Sequence, residues 1–95
     1  MSAVRHLIVI AYDVSNDRER MRLAKFLERR MTRVQDSLFE GWMTLHEGER
    51  IARQAAVVAG PSESVRLYIV PRGGVNACRA WGFPPAPSPD GALIL

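Results

Sequence analysis

Leu7-Ile8-Val9-Ile10-Ala11 constrains the fold more than any other stretch: five apolar residues stand in succession, and three of them are β-branched. Both alternating positions are apolar, which is how a central strand covered on both sides, or lying at an interface, reads. Tyr12-Asp13 ends the run with an aromatic and a carboxylate. A helix follows almost at once, because Asn16 with Glu19 three residues on has the spacing of a capping box and Asp17 suits the positive end of a helix. The spacing predicts a helix from near Asp17 to about Arg30. Leu23, Ala24, Leu27 and Met31 form one apolar stripe along it, and Arg18, Arg22, Lys25 and Arg29 fall on the opposite side.

The segment Arg33 to Met43 alternates Val34 and Leu38 against Phe39 and Met43, with Gly41 interrupting, and reads as a strand or as two strands separated by a bend. Thr44 and Glu47 repeat the capping-box spacing, and the alanine-rich run through Ala59 supports a second helix despite Gly48. Gly60-Pro61 closes it. Ser64 to Val70 alternates Val65, Leu67 and Ile69 with Arg66 and Tyr68, as a strand with one wetter face does. Beyond it a short strand is expected around Cys78 to Trp81. "PPAPSP" then reads as a linker that forbids regular pairing, followed by an Asp90-Gly91 turn and the apolar end "ALIL", which needs a surface on this sheet or on another chain.

At 95 residues there is room for about one domain, and 47% hydrophobic with 24% charged residues is ordinary for a chain with a packed core. So small a core gains usefully from a partner chain, and a dimer is expected. The net charge of +3 suits an anionic partner without demanding one. The single cysteine, Cys78, has no mate for an intrachain disulfide and fits a reducing cytoplasm. Leu7–Ala11 is too short for a signal peptide's apolar region or a membrane span, so neither export nor anchoring is expected.

Asp13 is the residue with the clearest chemical prospect. It lies at the carboxyl end of a strand, the edge where open α/β sheets place their sites, beside a helix N-terminus that favours anions. The competing reading is a turn or capping residue. A carboxylate there can hold a divalent metal for phosphodiester chemistry, yet one carboxylate per chain makes a poor magnesium site, and a dimer supplies two. Arg18, Arg22, Lys25 and Arg29 read either as a phosphate-tracking stripe or as a solvated helix face. Arg20 falls towards the apolar side in the first turn, where its head reaches towards Asp13. Tyr12, Phe39 and Trp42 can stack on bases but as strand aromatics belong more naturally to the core. His6 and His46 lack partners at metal-ligand spacing, and Gly73-Gly74 lacks the helix that a phosphate loop requires.

"YDVSNDRERMRLAKFL" followed by "RVQDSLFEG" resembles the CRISPR-associated Cas2 family, the small companion of the CRISPR integrase, over most of Val4 to Val70. The resemblance implies an α+β, ferredoxin-like sandwich of an antiparallel sheet and two helices, with two protomers packing their sheets across a twofold axis. It implies a ferredoxin-like domain over residues 1–71 and a docking segment over 72–95, whose C-terminal strand is exchanged in the homodimer. It further implies that Asp13 and its mate share one magnesium ion, and that Tyr12, Arg20, Arg22, Arg33 and Phe39 match positions implicated in nuclease activity. The basic start of the first helix matches the surface on which duplex DNA rests, and with the stripe this makes Arg18, Arg20, Arg22, Lys25 and Arg29 the expected nucleic-acid contacts. The chain departs from the family at "RRMTR", which lacks the usual glycine, and at Asp36, where an aromatic is frequent.

Two functions follow from the resemblance. One is a magnesium-dependent endonuclease on single-stranded RNA or duplex DNA; the other is a scaffold that bridges integrase dimers during spacer acquisition and does no chemistry itself. A third reading, from outside the family, is a ferredoxin-like regulator binding a small ligand at its dimer interface, and the arginine stripe speaks against it.

Overall fold

The computed structural model describes residues 4–83, 86–87 and 93–94. Their order is β1 (His6–Asp13), α1 (Asp17–Glu28), β2 (Thr32–Gln35), β3 (Leu38–Met43), α2 (Leu45–Ala59) and β4 (Ser64–Val70), then a 3-10 turn (Arg72–Ala77), β5 (Ala86–Pro87) and β6 (Leu93–Ile94). β1 to β4 form one antiparallel sheet in the order β2-β3-β1-β4. With two helices across it this is the expected ferredoxin-like α+β arrangement. The "RVQDSLFEGWM" segment is two strands, β2 and β3, with a shift in pairing register between Arg33 and Gln35.

Both helices lie on one face of the sheet. Ile8, Ile10 and Tyr12 of β1 turn to that side and pack with Leu23, Ala24 and Leu27 of α1, Ile51, Ala55 and Ala59 of α2, and Phe39 of β3. The four residues of the predicted α1 stripe are all buried, and Arg18, Arg22, Lys25 and Arg29 are all exposed. Asn16 caps α1 by accepting from the Glu19 amide at 2.9 Å. At α2 the reciprocal capping box is complete between Thr44 and Glu47. Gly48, a weakness by propensity, has a packing reason: a Cβ there would stand 3.2–3.3 Å from three atoms of the fully buried Ile8 side chain. The missing side chain lets α2 sit close over β1.

Direct pairing across antiparallel strands puts side chains on a common face. The face away from the helices therefore carries Leu7, Val9, Ala11 and Asp13 from β1, Leu38, Glu40 and Trp42 from β3, and Ser64, Arg66, Tyr68 and Val70 from β4. The 3-10 turn lies near one end of this open face, where the Arg72 guanidinium stands 5.8 Å from the Trp42 ring centroid.

The chain end corrects two expectations. Cys78 to Trp81 is not a strand: the chain after Val70 first coils into the 3-10 turn, whose end is marked by the Cys78 amide donating to Val75. The proline-rich segment does pair, because Ala86 and Pro87 register with Ile94 and Leu93 in a two-stranded antiparallel sheet. The remainder of "PPAPSP", the Asp90-Gly91 turn, and Ala92 and Leu95 of "ALIL" lie outside the described residues. No helix among the described residues is long and apolar enough to cross a membrane.

Candidate functional site

The register that builds the sheet also sorts the candidate residues. Tyr12 and Asp13 are consecutive on a strand, so their side chains leave opposite faces. Tyr12 is buried beneath the helices, while Asp13, paired in register with Ser64 of β4, is exposed at the carboxyl end of β1.

The loop after Asp13 is held from two directions. Ser15 donates its amide to one Glu63 carboxylate oxygen at 3.1 Å and its hydroxyl to the other at 2.9 Å, which ties this loop to the turn before β4. From α1, Arg20 donates Nη1 to the Val14 carbonyl at 3.2 Å and Nη2 to the Asp17 carboxylate. A cation is thereby fixed against the residue that follows Asp13. This is the neighbourhood expected for Arg20, and the hydrogen bond to Val14 is what sets it there.

Along α1 the exposed cations are not equivalent. Arg22 approaches Glu19 at 3.6 Å, an exposed pair of small energetic value, whereas Arg18, Lys25 and Arg29 have no acidic partner among the described residues. Arg18, Arg22 and Lys25 surround the exposed Met21 in a shallow surface depression. The side of α1 turned to solvent thus offers positive charge around a small apolar centre.

Tyr12, Arg33 and Phe39 assemble elsewhere, under the helix-covered side and its β2 edge. The Tyr12 hydroxyl donates to the Asp36 carbonyl at 3.2 Å, and Arg33 donates to the same oxygen from Nε at 3.1 Å and Nη2 at 2.7 Å. Arg33 also donates Nη1 to Glu28 at 3.1 Å, and its guanidinium lies 5.8 Å from the centroid of Phe39. Phe39 is fully buried and stacks on Tyr12 with centroids 6.1 Å apart and planes at 24°. Burial pushes the Tyr12 phenol above its ordinary value, and the positive charge of Arg33 partly offsets this. At position 36 it is the backbone carbonyl, not the carboxylate, that joins this cluster.

The chemical prospects follow from these placements. Asp13 offers a solvent-facing carboxylate and Arg20 a fixed cation one residue on. Tyr12, Arg33 and Phe39 are engaged within the fold and shape the strand that presents Asp13. Among the described residues no group of three or more His, Cys, Asp or Glu is placed to hold a metal ion. His46 is exposed, and His6 buries Nδ1 without a partner.

Sequence reasoning missed Glu63 and Glu40. Glu63 has no local signature, because its partner Ser15 lies 48 residues away. Glu40 sits on the open face, half-buried, and burial pushes its carboxyl above the ordinary range. Its signal was present as an acid between two apolar positions, Leu38 and Trp42, of one strand face.

Residues 6–76 match the family described as CRISPR associated protein Cas2. A CRISPR-associated endoribonuclease, Cas2 3, from Synechocystis sp. is 33% identical over 90 residues, which is 94% of this chain and 98% of that protein. The CRISPR-associated endoribonuclease Cas2 of Thermococcus kodakarensis is 44% identical over 62 residues, covering 64% of this chain and 72% of the relative. A hypothetical protein from Thermus thermophilus superposes with a TM-score of 0.63 at 31% identity, covering 70% of this chain and 82% of its own. A chain of a partial Cas6-RT-Cas1–Cas2 complex shares the fold at 21% identity, with a TM-score of 0.59 over 95% of this chain and 99% of its own.

Proposed function

The chain belongs to the CRISPR-associated Cas2 family, and on that footing we propose that it acts in CRISPR adaptation as a cytoplasmic homodimer that binds nucleic acid and the CRISPR integrase, with a magnesium-dependent endonuclease centre at Asp13. The observation that carries this reading is the exposed Asp13 carboxylate at the end of β1, with Arg20 bonded to the carbonyl of the next residue. The endoribonuclease names of the Synechocystis and Thermococcus relatives support it.

Magnesium wants one or two carboxylates with water and substrate phosphate. One Asp13 is a poor site, and two brought together by a twofold axis fit the ion. The two Asp13 carboxylates would hold the ion, and magnesium held there would supply polarisation of a phosphoryl oxygen or activation of a water. The chain's own residues do the rest. Arg20, and Arg22 in competition with Glu19, stabilise phosphate charge near the scissile bond. Arg18, Lys25 and Arg29 hold the nucleic-acid backbone, which positions it without reading its sequence. Glu63 and Asn16 keep the loop between Asp13 and α1 in one conformation. Residues 1–71 form the ferredoxin-like unit, and residues 72–95 serve partner docking.

A second reading, a non-catalytic scaffold that bridges integrase dimers, is favoured by one observation. Tyr12, Arg33 and Phe39 are all committed to bonds or packing inside the protomer, which leaves few side chains free for chemistry. The test compares wild type and Asp13→Ala on single-stranded RNA and duplex DNA, with magnesium and with chelator. Cleavage lost in both the variant and the chelator establishes the nuclease. Equal inertness of the two proteins, with retained binding to duplex DNA that weakens steeply with salt, selects the scaffold.

A further inference from the structure

Glu40 has no hydrogen-bond or ion-pair partner among the described residues, although it is half-buried on the open face between Leu38 and Trp42 and opposite Val9. A buried or half-buried carboxylate without a counter-charge is costly. All thirteen lysines and arginines fall within residues 4–83, so no further basic side chain of this chain remains to be placed beside it.

Arg66 presents the complementary case on the same face. It is exposed, it has no acidic partner among the described residues, and its one polar contact is a 3.4 Å bond from Nη1 to the Tyr68 hydroxyl. Within one protomer the two cannot meet easily. Glu40 is on β3 and Arg66 on β4, with β1 between them, and Ala11 rather than Val9 is the register partner of Arg66. Two strand spacings of about 4.8 Å and a step of about 7 Å along the strand lie between their backbones.

A second copy changes this. A twofold axis running along β1 sets β1 against β1 and exchanges the flanks, so that β3 of one copy faces β4 of the other. The rows are preserved. Glu40 then faces the row of the second copy that carries Tyr68, and Arg66 stands two residues along the same strand. Sheets packed face to face lie about 10 Å apart, so with that two-residue step the backbones are again roughly 12 Å apart, but the two side chains now extend towards each other across the gap instead of standing side by side on one face. The same axis brings Asp13 opposite its mate.

We propose that Glu40 of each protomer forms an ion pair with Arg66 of the second copy, giving two reciprocal bridges across the open sheet faces; this rests on the homodimer reading above. A twofold interface is self-complementary, so the pair forms twice and each open face is matched in charge only by another copy of itself. It also gives the open face a reason to hold an acid where its neighbours are apolar.

The experiment is sedimentation equilibrium of the full chain as wild type, Glu40→Arg, Arg66→Glu and the double exchange, with circular dichroism melts to establish that each folds. Each single reversal is expected to raise the dimer dissociation constant by about tenfold or more, and the double exchange to recover most of that loss, as a coupled charge pair requires. Glu40→Gln, the conservative variant, is expected to weaken the dimer as well. Singles that dimerise like wild type, a double exchange with no recovery, or a Glu40→Gln variant that dimerises more tightly would overturn the pair while leaving the dimer standing. A wild type that stays monomeric at every concentration overturns the homodimer reading itself, and the pair with it.

Discussion

The two faces of one sheet differ in what they leave unfinished. Under the helices, Ile8, Ile10, Tyr12 and Phe39 meet Leu23, Leu27 and Ile51, and the polar atom among them, the Tyr12 hydroxyl, has its acceptor in the Asp36 carbonyl. On the open face, Leu7, Val9, Ala11 and Leu38 alternate in space with Asp13, Glu40 and Arg66, and Asp13 and Glu40 have no polar partner among the described residues. Apart from the buried Nδ1 of His6, the covered face is satisfied within one chain among the described residues, and the open face has groups to offer. Because strand neighbours alternate between the two, the consecutive pair Tyr12-Asp13 places one side chain in the covered core and the other, exposed, on the open face.

The sharpest way to break this contrast is Phe39→Ala. It empties the fully buried centre of the covered face and removes the ring beneath Arg33, and the expected loss is about 3–5 kcal/mol. Against a total of about 5–15 kcal/mol for a domain, thermal or urea unfolding should show a marginal protein, so any lost cleavage would report unfolding. A variant that melts like wild type would show that the covered core does not depend on this ring.

Tyr12→Phe tests the same face more finely. The Asp36 carbonyl keeps its two bonds from Arg33, so no acceptor is stranded and the expected cost is about 0.5–1.5 kcal/mol at neutral pH. The pH profile carries a separate sign. Burial raises the folded phenol above its ordinary 10.0, so its contribution to stability is present below pH 10.0 and is lost as pH rises through the folded value. Tyr12→Phe should lack that part of the alkaline decline in denaturant midpoints measured across the range. An unchanged alkaline limb would mean that Tyr12 ionises without unfavourable burial.

Asp13→Ala should have the smallest effect on stability, within about ±0.5 kcal/mol, since an exposed side chain with no partner is removed. Cleavage, by contrast, should fall to the level seen with chelator. A melting temperature that drops by several degrees would place Asp13 with the structural residues and dissolve the contrast between the faces.

Much of this was legible along the chain. Asn16 and Thr44 announced both helix starts because capping is local chemistry, and β4 shows as alternation between Ser64 and Val70. The α1 stripe and its basic reverse follow from helical period alone. What could not be read locally was pairing. Neither Tyr12 with the Asp36 carbonyl, 24 residues on, nor Ser15 with Glu63 leaves a trace in either segment. The Cys78–Trp81 segment misled because apolar and small residues suit a strand, while the chain just before it winds through the 3-10 turn of Arg72–Ala77 and no strand among the described residues pairs with it. The prolines predicted a break, yet Ala86-Pro87 still registers with Leu93-Ile94.

The strand order β2-β3-β1-β4 has a consequence for biosynthesis. The most apolar strand is made first but occupies an interior place, and both of its neighbours come later: β3 begins at Leu38 and β4 at Ser64. On the ribosome, at about 5–20 residues per second, "LIVIA" therefore waits seconds with both edges unsatisfied. A nascent chain stopped after α2 would hold an open, β-branched edge of the kind that recruits other strands. Completion of β4, not emergence of the first helix, is thus the event that retires the hazard and closes this sheet.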